Sequence, residues 1–355
     1  MGADTFPQTR ADPETRLLGS AWPATFGPMP LLAPEVRLNM GRRSKIVLRI
    51  LAFLALLLGL CSGPAFAQAI FLFPPVKLPL DLPPVPSVPL NERLMRVPMT
   101  ISRPAGVQRL TLEATLYRPP GPGPFPLVIL SHGTSRNPQQ RVGRRLRYDA
   151  QSWEFVSMGF AVIIPMRRGY GHSEGDYAEV EGPCDYSNFY GAGQESAKDL
   201  RATVEYVSTL PFIDPNRLVL VGHSSGGLAS LILASQGLPG VRGVINFAGG
   251  RGSKRSMNCS PDRLVEACAQ AGRTTRTPTL WIYAENDSYF PPWLAREMCA
   301  AFHQDGGQAQ LVMLPPFCEE GHYLFTDVRG LARWTPVVNR FLNELGFSGS
   351  MPSPP

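Results

Sequence analysis

The sequence predicts an α/β fold: a mostly parallel β-sheet with helices packed on both faces. Three observations predict it. Continuous apolar runs such as PLVIL (126–130) and AVII (161–164) have the pattern of strands buried on both faces. They alternate with segments whose apolar residues recur at helical spacing, as in ESAKDLRATVEYVSTL (195–210). With 355 residues, 44% hydrophobic and 17% charged, the chain is long enough to bury one domain of about 250 residues plus extras.

The elements follow in order. RVPMTIS (96–102) and RLTLEATLYRP (109–119) alternate apolar and polar residues, as hairpin strands with one wet face do. PLVILSHG (126–133) is a buried strand ending in glycine, SWEFVSMGF (152–160) a helix, and AVIIPMRRGYG (161–171) another buried strand. After the amphipathic helix 195–210 comes the strand RLVLVG and, directly behind it, the helix LASLILASQ. VRGVINFAGG and TPTLWIYAEND read as strands, LAREMCAAFHQDG as a helix, AQLVMLPP as the last strand and WTPVVNRFLNELG as the last helix. Insertions at 176–193 and 251–278 are too short for a full cap domain.

The segments before residue 93 read differently. MGRRSK (40–45) is basic, ILAFLALLLGL (50–60) is apolar, and PAFA (64–67) ends in an A-x-A pattern. That order is a secretory signal peptide over 40–67 with cleavage after Ala67, which predicts a periplasmic or secreted protein. The apolar run falls short of the roughly 20 residues of a spanning helix, so no stable membrane anchor is expected. Residues 1–39 show no period of either kind and read as an unstructured, mis-called upstream extension ahead of a start at Met40. FPPVKLPLDLPPVPSVPL (73–90) carries seven prolines in eighteen residues, which makes 68–92 a surface linker or arm. The domain proper then spans 93–347, with a disordered tail at 348–355.

Charge excludes one class of partner. The net charge is +6, but residues 1–67 hold seven Lys/Arg against four Asp/Glu, and the remainder has 27 against 24. That is no electrostatic footprint for nucleic acid. Five cysteines remain after the leader, and none has metal-ligand spacing, so neither zinc nor another cofactor is expected. In an oxidising compartment two bridges are possible. Cys259–Cys268 and Cys299–Cys318 are expected, leaving Cys184; the alternative joins Cys184 to the other insertion.

The stretch VGHSSGG (221–227) joins a buried strand directly to a helix, and its register as G-x-S-x-G is Gly222, His223, Ser224, Ser225, Gly226. A turn this tight has no room for a Cβ two residues either side of the apex, and it projects the Ser224 hydroxyl outward. A serine needs a base to take its proton and an acid to orient that base. His223 is too close to Ser224 in the turn to reach round, His132 and His172 come earlier in the chain, and His303 is late in a helix. His322, just past the last strand, remains. Asp287 ends the strand TLWIYAEND, whereas Glu319 and Glu320 lie too near His322 in sequence. Nucleophile, acid and base in the order Ser224, Asp287, His322, each beyond the carboxyl end of a strand, is the α/β-hydrolase arrangement. The oxyanion hole is expected from the backbone N–H groups of Ser225 and Thr134.

LVILSHGTS, IPMRRGYGHSEG, LVLVGHSSGG, ENDSYFPP and GHYLF together make residues 94–346 resemble the α/β-hydrolase family. The resemblance is closest to its dienelactone-hydrolase-like and prolyl-oligopeptidase-like serine esterases and peptidases. Dienelactone hydrolases proper carry cysteine where this chain has Ser224, and the peptidase relatives carry a propeller that this N-terminal segment is too short to form. The expectation is a serine hydrolase, a carboxylesterase acting through an acyl-enzyme on small-molecule esters with small or exposed acyl groups. A peptidase, amidase or acyltransferase using the same triad is the alternative, and a binding protein on a hydrolase scaffold is the reading from another class. Tyr186, Phe189 and Tyr190 are candidates for an acyl pocket, and Glu179 with Glu181 for a substrate ammonium.

Overall fold

In the computed structural model, residues 90–347 are described apart from Ala105 and Arg136. The upstream extension, the leader, nearly all of the Pro-rich segment and the tail lie outside the described residues. Eight strands form one sheet in the order β1-β2-β4-β3-β5-β6-β7-β8. β1 (Arg93–Arg103) and β2 (Gly106–Tyr117) make the antiparallel hairpin at one edge, and β2 pairs antiparallel with β4 (Ala161–Pro165). From β4 the sheet runs parallel through β3 (Phe125–Ser131), β5 (Ile213–His223), β6 (Val241–Phe247), β7 (Thr279–Ala284) and β8 (Ala309–Leu314). This mostly parallel, helix-covered sheet is the α/β-hydrolase fold.

The two-residue period of the central strands explains why they read as unbroken apolar runs. Leu127 and Ile129 of β3 and Leu218 and Leu220 of β5 face one core, while Val128, Leu130, Val219 and Val221 face the other. The first core is closed by α2 (Phe189–Val207), α3 (Ser225–Ala234), α4 (Pro261–Gly272) and α5 (Pro292–Gln304). The second is closed by α1 (Asp149–Ser157) and α6 (Leu331–Glu344), where Trp334 stacks on Phe155 at 6.0 Å. All ten residues of α3 are buried, which is why its sequence is apolar on every side.

Two expectations are corrected here. Helix α2 starts at Phe189, six residues earlier than its amphipathic pattern begins, because Asn188 Oδ1 accepts from Gly191 N–H at 2.8 Å and caps it. The expected Cys259–Cys268 and Cys299–Cys318 bridges are not formed; Cys184 pairs with Cys259, at a Cα–Cα distance of 5.3 Å. Cys268 lies on the buried face of α4 with Leu264, Ala267 and Ala271 and packs in the core as a free thiol. The bridge therefore ties the two insertions together.

Candidate active site

All the parallel strands end on the same edge of the sheet, and there a cleft of about 510 Å³ opens. Ser224, Ser225, Thr134 and His322 all line it. Ser224 has φ 56° and ψ −124°, a conformation costing on the order of 1–3 kcal/mol for a residue with a side chain. The glycines flanking it are required sterically. A Cβ at Gly222 would overlap the Gly226 carbonyl, and one at Gly226 would overlap the carbonyl of Ser131 on β3. With these two side chains absent, α3 descends directly behind Ser224.

His322 sits in the short turn Gly321–Tyr323 beyond β8, and its Nδ1 lies 3.2 Å from Asp287 Oδ2. Asp287 is buried three residues past β7, where its Oδ1 accepts from the N–H groups of Tyr289 and Phe290, both at 2.9 Å. With Oδ1 so occupied, Oδ2 is directed at the imidazole. The ring is held on its faces too: Tyr289 stacks on it at 4.3 Å and 21°, and its hydroxyl meets that of Tyr323 at 3.2 Å. Glu320, set aside as the acid, does not approach the ring. It accepts from the N–H groups of His322 (3.1 Å) and Ser288 (3.0 Å) and so binds the two loops to each other.

The structure thus brings the predicted Ser224, Asp287, His322, Ser225 and Thr134 to one edge of the sheet. Thr134 follows β3, and its Oγ1 lies 2.6 Å from Ser225 Oγ. The Gly133 backbone is so close that a Cβ there would stand 3.2 Å from Ser224 Cβ. Two further candidates are not brought in. Of the aromatic trio, Tyr186 is 76% exposed and Phe189 is buried under Gly252, while Tyr190 packs on the core beside them. The aromatic lining comes instead from Tyr148, Tyr177, Tyr289, Phe290 and Tyr323. Glu179 is no ammonium receptor, because it is buried and ion-paired with both Arg167 and Arg251. Burial pushes its carboxyl up, but the two guanidiniums outweigh that and hold it well below the usual range. Glu181 does line the cleft.

Two histidines passed over in the sequence have supporting places. His223 Nε2–H donates to the His322 carbonyl at 2.9 Å, so it braces the loop that carries His322. His132 Nε2 accepts from Arg167 N–H at 3.2 Å. Burial holds both imidazoles down at about 3, helped by Arg167 at His132 and by His322 at His223, so they stay neutral. Arg167 and Tyr289 had no local signal beyond their position at strand ends.

Comparison with known proteins agrees with this architecture. The chain is 16% identical to Pyrococcus horikoshii acylaminoacyl peptidase, with a TM-score of 0.53 over 72% of this chain and 42% of that one. It is 17% identical to a Mycobacterium tuberculosis puromycin-hydrolyzing peptidase (TM-score 0.54; 76% and 42%). To an esterase from Thermogutta terrifontis it is 15% identical (TM-score 0.50; 77% and 99%). Identities this low speak for the shared fold. The quorum-quenching protein AidA of Acinetobacter baumannii is 31% identical over 148 residues, 41% of this chain and 43% of that protein, so the match spans less than half of that relative. The sequence profile of the X-Pro dipeptidyl-peptidase (S15 family) matches residues 108–311, over half of the chain and reaching from the hairpin to β8. With a hydrolase fold and that match, the chain belongs to the S15 family.

Proposed function

We propose that the protein is an exported serine hydrolase that cleaves small or exposed carboxylic esters through an acyl-enzyme. The observation that carries this is the meeting, in one cleft, of a serine in a strained strand-to-helix turn and an imidazole whose Nδ1 is engaged by a buried aspartate. With Nδ1–H donating to Asp287, His322 Nε2 is the lone pair that takes the Ser224 proton. Ser224 Oγ then attacks the ester carbonyl carbon, and the developing oxyanion accepts from the Ser225 and Thr134 N–H groups at the start of α3 and the end of β3. His322 returns the proton to the leaving alkoxide, and a water repeats the sequence to free the acid.

Among the described residues the two insertions are too short to form a cap domain over the cleft, which suits small or exposed esters. Family membership favours a second reading, an amide or peptide substrate. Against a dipeptidyl-peptidase mode stands the commitment of Glu179 to two arginines, which leaves Glu181 as the carboxylate at the cleft. Export is supported by the leader pattern at 40–67 and by the Cys184–Cys259 pair, since such bridges persist in oxidising compartments. Kinetics on a panel of p-nitrophenyl esters and aminoacyl p-nitroanilides tests the choice. Ester turnover that is lost in Ser224→Ala, with kcat/KM at least about tenfold above any anilide, is expected. Higher kcat/KM on X-Pro anilides would replace the esterase reading with the peptidase one.

A further inference from the structure

Behind the Thr134–Ser225 wall lies a charged cluster that the chemistry above does not use. Arg167, just past β4, is fully buried and donates from Nε and Nη2 to the Glu179 carboxylate, the Nη2 bond being 3.3 Å. Arg251 Nη2 donates to the same carboxylate from the other side at 2.9 Å. The remaining donors of Arg167 point towards the cleft wall. Nη1 donates to the His132 carbonyl at 2.6 Å and to Ser131 Oγ at 3.0 Å, and Nη2 reaches Ser225 Oγ at 3.3 Å. Ser225 Oγ in turn meets Thr134 Oγ1 at 2.6 Å, which donates to Glu179 Oε2 at 3.2 Å and accepts from the Tyr170 hydroxyl at 2.9 Å.

Buried ion pairs are poor stability devices, because desolvation offsets much of their attraction. Three buried ionised groups therefore call for another role, and their location supplies one. A single guanidinium touches both segments that carry the two oxyanion amides: the 131–134 segment through a carbonyl and a hydroxyl, and the first residue of α3 through its hydroxyl. Its planar fork fixes the angle between these segments, which a point-charge ammonium does not.

Resting on the serine-hydrolase reading, we propose that Arg167, clamped by Glu179 and Arg251, is a positioning residue. It locks the 131–134 segment against the start of α3 so that the Thr134 and Ser225 amides converge on the oxyanion before substrate arrives. Arg167 touches no reacting atom in this scheme, so its loss weakens binding of the transition state and spares that of the substrate.

The test is ester hydrolysis by the full chain together with inhibition by phenylboronic acid, which forms a tetrahedral anion on a serine. Losing one oxyanion donor costs about 100- to 1,000-fold in kcat, so mispositioning in Arg167→Lys is expected to cost about 10- to 100-fold, with KM changed less than about threefold. The boronate inhibition constant should rise in parallel with the loss of kcat/KM. The double variant Thr134→Val with Ser225→Ala removes the bridging hydroxyls while keeping both amides and the ion pairs. It should show the same signature, and it decides the matter if Arg167→Lys does not fold. Unchanged kcat in the folded variants, or a rise in KM alone, would overturn the clamp and leave the hydrolase reading standing. Hydrolysis that survives Ser224→Ala would remove that reading and the clamp with it.

Discussion

Ser224 and Ser225 are neighbours with opposite environments. Ser224 has the strained backbone at the apex of the turn and lines the cleft, while Ser225 turns its hydroxyl back to Thr134 and Arg167. Substituting each by alanine should therefore separate them. Ser224→Ala is expected to abolish turnover by removing the attacking oxygen. Ser225→Ala keeps the N–H but loses the hydroxyl through which Arg167 holds the start of α3, so it is expected to keep measurable turnover, with kcat lowered by about 10- to 100-fold on one p-nitrophenyl ester. Equal loss from both would mean that the register of the turn has been misassigned. These residues were legible in the sequence because the chemistry dictates their order and the glycines mark the turn. Arg167 was not: nothing local in IPMRRGYG distinguishes an arginine buried against Glu179 from its neighbour, Arg168, which pairs with Asp199 at 2.5 Å. Burial of a charge depends on partners that arrive from elsewhere in the chain, and one sequence does not name them.

At the scale of elements, the Cys184–Cys259 bridge joins the insertion after β4 to the one after β6, across 75 residues. Both insertions begin at or near cluster residues, Glu179 in one and Arg251 in the other, so the bridge ties together the two segments that carry the buried cluster. The Ser260 hydroxyl adds a hydrogen bond to the Cys184 carbonyl. In the chain-entropy picture a loop of this length stabilises by up to about 4 kcal/mol. Cys184→Ser or Cys259→Ser is expected to lower stability in denaturant titration by a sizeable part of that figure, and to about the same extent in each variant. No change in midpoint would mean that the insertions are held by their ion pairs alone. The strands were legible as elements because burial on both faces writes a continuous apolar run. The pairing of these cysteines was legible only as the alternative that joins Cys184 to the other insertion, because their proximity is set by the strand order β4-β3-β5-β6, which spacing in the sequence does not encode.

For the whole molecule, the buried neutral histidines set a direction for stability against pH. His132 and His223 are held at about 3, whereas an imidazole in the unfolded chain titrates near about 6.5. His132 faces Arg167 and Arg251, which oppose an imidazolium, and Glu179, which favours one, and His223 faces His322; burial with the like charges outweighs Glu179 and the backbone carbonyls, so both rings stay neutral. Between the two values the unfolded chain binds protons that the folded one excludes. This stabilisation is thus complete above about pH 6.5 and declines as pH falls, by up to about 1.4 kcal/mol per pH unit for each imidazole. Denaturant midpoints should drop from about pH 7.5 to about pH 5, and less steeply in His132→Asn. A midpoint independent of pH across that range would contradict the assignment of both rings as neutral.

The central claim is that Ser224 is a nucleophile activated by His322 and Asp287, and covalent labelling tests it most directly. Full-length protein treated with a fluorophosphonate and mapped by peptide mass spectrometry is predicted to carry a single adduct, on Ser224. Labelling should slow by at least about 1,000-fold in His322→Ala, since the hydroxyl without its base is a poor nucleophile. An adduct on any other residue, or labelling of Ser224 that is as fast without His322 as with it, would contradict the account.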